Sequence, residues 1–147
     1  MPNHYHLVLE TPDPNLSAGM QQLNGRYAQT FNHRHVLDGH LFQGRFHGVV
    51  VTSTWHLLEL TRYLAQNPVT GGLCARPSEW EWGSYASLIG KAPPQSFLAA
   101  EAMLSWFGPD ATRARRALMD FVGEVDSDPL GHDRGLTPEC RHGSCPG

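Results

Sequence analysis

Only two stretches of this 147-residue chain read as β-strands, and that scarcity constrains its fold more than any other feature. In residues 4–9 (HYHLVL), His4, His6 and Val8 share one face of an extended segment and Tyr5, Leu7 and Leu9 share the other. Residues 41–51 (LFQGRFHGVVV) are rich enough in β-branched and aromatic side chains for a strand, interrupted by Gly44 and Gly48. A sheet of two such strands is marginal by itself, so it needs further partners or a helix to cover it.

The helices are easier to read. Pro12 and Pro14 break the first strand, and Asn15 or Ser17 can cap a helix in which Leu16, Met20, Leu23, Tyr27 and Phe31 recur at the 3.6-residue period. Thr54 is a suitable cap for a second helix over residues 55–66, which Pro68 is expected to end. Trp80, Trp82 and Tyr85 are expected to pack against the domain, and residues 97–123 read as two short helices around Gly108 and Pro109. From Asp126 onward the composition is that of a disordered tail.

Composition narrows the class. With 40% hydrophobic and 17% charged residues the chain is globular. No apolar run approaches the roughly 20 residues of a membrane span, and the first residues lack the pattern of a signal peptide, so a cytoplasmic protein with no membrane partner is expected. Cys74, Cys140 and Cys145 are odd in number and unpatterned, which argues against a disulfide scaffold. Cys140 and Cys145 bracket His142, but a Gly/Pro-rich terminus makes a zinc site the weaker reading. A net charge of −3 excludes a global basic field, so nucleic-acid binding would have to rest on local arginines. Arginine supplies ten of the eleven basic residues, and its planar fork suits phosphate.

Three segments carry candidate chemistry. Histidines at alternate strand positions stand about 7 Å apart on one side and can converge on a cation, although exposed strand-end pairs like His4 and His6 are commonly incidental. In ELTRYLAQNPVTGG, Asn67 lies one turn beyond Tyr63 and about 40° around the axis, while Gln66 lies about 60° to the other side. Tyr63 borders the stripe Leu57, Leu60 and Leu64, where a plain amphipathic boundary would also place a tyrosine. In GHLFQGRF two glycines permit close backbone approach and Arg45 could meet a phosphate, or the segment is a glycine-interrupted edge strand.

Taken together, MPNHYHLVLETP, NLS..M..L...YA..FN.RH, GHLFQGRF, RYLAQNPV and WEWGSY follow one another in an order and spacing that resembles the REP-associated tyrosine transposases of the single-tyrosine HUH superfamily. The resemblance covers roughly residues 1 to 90 and fades by about residue 123. It implies an α+β fold with a ferredoxin-like antiparallel sheet and helices on one face. Members carry a strand, a helix and a strand before the MPNHYHL segment, so an N-terminally truncated version of that sheet is expected, with the histidine strand pairing with residues 41–51 or with a second copy. The implied organisation is a partial catalytic domain over residues 1–95, a helical C-terminal extension over 96–125 and a tail over 126–147.

The resemblance also implies a site. His4 and His6 map onto two ligands of a divalent Mg²⁺ or Mn²⁺, Tyr63 onto the nucleophile, and Asn67, with Gln66 second, onto the amide that completes the metal set. The implied activity is nicking and strand transfer on single-stranded DNA or DNA hairpins through a 5′-phosphotyrosine. On that reading Arg26, Arg34, Arg45 and Arg62 are the phosphate contacts, and a homodimer is possible. The rival expectation is a hairpin-binding remnant without catalysis.

Overall fold

The computed structural model describes residues 1–123, and the expected tail with Cys140, His142 and Cys145 lies outside them. Five helices follow in order: α1 Leu16–His35, α2 Thr54–Thr70, α3 Tyr85–Leu88, α4 Ala100–Ser105 and α5 Ala111–Gly123, with a 3-10 turn at Pro77–Glu79. The described residues contain no strand, which overturns the ferredoxin-like antiparallel sheet; what is seen is all-α. Residues 4–9 and 41–51 remain outside any ladder, and Leu7, Leu9, Val49 and Val50 are exposed. The period-2 pattern in residues 4–9 was real, but a strand is completed by a neighbour in register, and Gly44 and Gly48 weaken the one candidate neighbour.

Two compact units divide the chain, one of Met1–His6 with the residues from Val51 onward, the other Leu7–Val50. The first holds the core. Ala65 of α2 joins Leu88, Ile89, Leu104, Ala114, Leu118 and Val122, and the last three are almost wholly excluded from solvent. Full burial of a Leu or Val side chain contributes about 1.5–3 kcal/mol, so α5 is the main apolar donor. Residues 96–123 therefore share their core with α2. Around its rim Phe121 meets Trp55 and Phe107. Tyr85 packs at the core edge as expected, whereas Trp82 stays exposed.

The second unit is α1 and its flanking segments, where only Met20 of the helix is buried. Tyr27 stacks on Phe31 and touches Phe42, while Leu23 and Tyr27 remain about half exposed. Asn15 occupies the cap position but uses its backbone carbonyl, which accepts from the Gly19 N–H, and not its side chain. The helix ends at Val36 in the left-handed region (φ 53), an uncommon place for a β-branched residue.

α2 corrects the sequence at both ends. Ser53, not Thr54, is the cap, its Oγ accepting from the His56 N–H. Pro68 lies inside the helix, which continues to Thr70. A proline near the end of a helix removes one bond, and here the terminus is closed by others: Leu73 N–H donates to the Pro68 carbonyl and Gly72 N–H to that of Val69. This is the Schellman arrangement, and Gly72 (φ +67) supplies its left-handed residue.

Candidate functional site

The site is built from the N-terminal segment and one face of α2, both in the first unit. His4 and His6 meet edge to face with ring centroids 4.9 Å apart. His6 in turn meets the ring of Tyr63 edge to face at 5.7 Å. The two histidines and the tyrosine are thus brought together although no ladder holds the histidine segment. Tyr63 is half-buried, in keeping with its place beside Leu60 and Leu64.

His4 Nδ1 lies 2.7 Å from Asn3 Oδ1, so the ring nitrogen is the donor in that bond. In the neutral imidazole this leaves a lone pair on Nε2, and that atom is buried with no hydrogen-bond partner. Asn67 is buried as well, and its Nδ2 also lacks a partner. Because the two ends of an amide are interchangeable at the level of the hydrogen-bond network, the unpartnered end can equally present oxygen. Gln66 is committed elsewhere, its Nε2 donating to the Val122 carbonyl of α5 at 2.6 Å. Between the two amides, Asn67 is the one whose polar end remains open.

These donors mix two kinds, imidazole nitrogen of the sort that zinc, iron, nickel and copper favour and an amide that can offer oxygen. An imidazole lone pair whose other nitrogen is anchored is the usual form of a histidine ligand, and an amide oxygen suits Mg²⁺ or Mn²⁺. Among the described residues no three His, Cys, Asp or Glu side chains group closely enough to hold a metal.

The arginines separate into two kinds. Arg62 is held by Glu59, N···O 2.5 Å, with its guanidinium 5.3 Å from the centre of the Phe121 ring. Arg26 lines an open groove on α1 with Gln22, Leu23, Tyr27 and Thr30, and Arg34 and Arg45 are exposed. Arg26, Arg34 and Arg45 belong to the second unit, Arg62 to the first.

Two residues of this neighbourhood escaped the sequence reading. Asn3 anchors His4 from the adjacent position, a contact that no periodicity signals. Glu59 precedes Tyr63 by four residues and is buried, with Oε2 on Arg62 and Oε1 unpartnered. The same i, i+4 spacing that picked out Asn67 also picks out Glu59.

Comparison of the chain with protein-family models, curated proteins and solved structures gives no match.

Proposed function

We propose that the protein cleaves and rejoins DNA through Tyr63, acting on single-stranded or hairpin substrates. The observation that carries this is the contact of His6 with Tyr63, beside a buried and unpartnered His4 Nε2. A nucleophile candidate and nitrogen donors from a distant segment share one place. His4, His6 and Asn67 are the residues that would hold Mg²⁺ or Mn²⁺. That ion, when bound, offsets phosphodiester charge and polarises the scissile group.

The protein's own part is covalent catalysis. The Tyr63 oxygen attacks phosphorus, the bond to O3′ breaks, and the products are a 5′-phosphotyrosine and a free 3′-hydroxyl. Another 3′-hydroxyl reverses the step and joins the strand to a new end. Arg26, Arg34 and Arg45, exposed in a chain of net negative charge, are the phosphate contacts. A cytoplasmic location gives access to DNA, and a second copy is a further partner under this reading.

One observation favours a second reading, a hairpin-binding protein without catalysis: no ladder fixes the His4–His6 segment, and a metal site needs rigid support. The test is to incubate the chain with labelled hairpin oligonucleotides and Mn²⁺ and resolve covalent adducts on a denaturing gel. Cleavage predicts a cation-dependent adduct that Tyr63→Phe abolishes. An adduct that survives Tyr63→Phe overturns the nucleophile assignment, and oligonucleotide binding without any adduct selects the second reading.

A further inference from the structure

Tyr63 is a poor nucleophile while it keeps its phenolic proton, and cleavage therefore needs a group to receive it. Glu59 stands one helical turn before Tyr63 on α2. Residues four apart on a helix are neighbours, so Glu59 and Tyr63 share one face of α2 within side-chain reach of each other. Glu59 is only 6% exposed, an uncommon condition for a carboxylate. One oxygen is accounted for: Oε2 holds Arg62 at 2.5 Å, and Arg62 is steadied by the Phe121 ring of α5. Oε1 is buried and has no partner. A carboxylate kept for its ion pair alone gains most by engaging arginine with both oxygens, and an unpartnered buried oxygen is costly. Glu59 also forms no three-donor metal group with His4 and His6, which leaves Oε1 outside the cation's donor set.

We infer that Glu59 receives the Tyr63 proton during DNA cleavage, an inference that rests on the cleavage reading above. As the Tyr63 O–H bond breaks, the proton passes to Glu59 Oε1 and the tyrosine oxygen bonds phosphorus. The P–O3′ bond breaks, its electron pair stays on O3′, and that oxygen takes a proton from solvent. On rejoining, an incoming 3′-hydroxyl gives up its proton to solvent as it bonds phosphorus and displaces the tyrosine oxygen, which recovers its proton from the Glu59 carboxyl. Arg62 is a positioning residue that fixes the carboxylate through Oε2.

The experiment compares the full chain with Glu59→Gln, Arg62→Met and the double variant, using the same hairpin pool and Mn²⁺. It reads the rate of adduct formation, oligonucleotide affinity by anisotropy, and helical content by circular dichroism. A positioned base contributes about a hundredfold or more. Glu59→Gln is therefore expected to slow the adduct about a hundredfold at unchanged affinity, and adding Arg62→Met is expected not to restore it. A carboxylate that merely neutralises Arg62 predicts the opposite, because removing the stranded cation relieves the defect. The inference is overturned if Glu59→Gln reacts at the wild-type rate, or if the double variant reacts as fast as Arg62→Met alone. Should Glu59→Gln fail to fold, the double variant, free of the buried unpaired charge, carries the same test against Arg62→Met. Absence of any Tyr63 adduct in the unaltered chain is a different result, which removes the cleavage reading and this inference with it.

Discussion

The two compact units of this chain are both organised by a helix with an apolar stripe, yet only one of them encloses it. In the unit of α2 to α5, Ala114, Leu118 and Val122 lie at 0–1% exposure against Ala65 and Leu104. In the unit of α1, Leu23 is 49% and Tyr27 56% exposed, and Met20 is the single buried residue of the helix. The contrast teaches that amphipathicity is a demand for a partner and not a guarantee of one. α5 meets α2 and α4, whereas the extended segments flanking α1 form no sheet among the described residues. The unit with the closed core is also the one that carries the candidate site, so Tyr63 and Glu59 of α2 stand on the better supported frame, while His6 reaches Tyr63 from a segment without a ladder.

The comparison is broken most directly at Leu118. Replacing it with alanine removes a wholly buried side chain and is expected to cost about 3 kcal/mol of unfolding free energy in denaturant titration. A loss below about 1 kcal/mol would mean that α5 is not the centre of the stable unit. Hydrogen exchange on the same protein should show the α5 amides opening only with global unfolding and those of α1 opening locally.

A gain is expected in the weaker unit. Val36→Gly relieves a β-branched residue held at φ 53 and should stabilise the end of α1 by about 1 kcal/mol, read as slower exchange of its last-turn amides. Unchanged exchange would show that this end is frayed whatever residue occupies it.

A smaller effect separates the units by pH. Burial raises the Tyr85 hydroxyl above its ordinary 10.0, so its contribution to stability is complete below that value and lost as pH rises through the higher folded one. Alkaline titration should therefore weaken the core unit in wild type and less so in Tyr85→Phe. The smallest effect is at Leu23, where replacement by serine on a half-exposed face should change unfolding free energy by no more than about 0.5 kcal/mol. A larger loss would show that the α1 stripe is covered in solution.

The helices were largely legible because their signals are local. The stripe from Leu16 to Phe31 became α1, and the break at Gly108 and Pro109 separates α4 from α5. The ends were less legible: Pro68 was expected to stop α2, but it lies inside the helix, which runs on to Thr70 and is closed by the turn through Gly72. At the site, spacing singled out Tyr63 and Asn67 as sharing a face, and left Gln66 open as an alternative. Only packing distinguishes the two amides, engaging Gln66 with the Val122 carbonyl and leaving Asn67 Nδ2 unpartnered.

What lay in the chain alone was therefore periodic: which residues are helical, which share a face, and which chemistry each could offer. Those properties follow from the geometry of neighbouring residues, which 3.6 residues per turn dictates wherever a helix forms. What only the tertiary structure decided was pairwise and long-range: that the alternation in residues 4–9 finds no ladder, that His6 meets Tyr63, and that Glu59 is buried with one oxygen unpartnered. Such contacts depend on which surfaces find each other. No local pattern encodes that, because a strand or a ligand set is completed by residues far away in sequence.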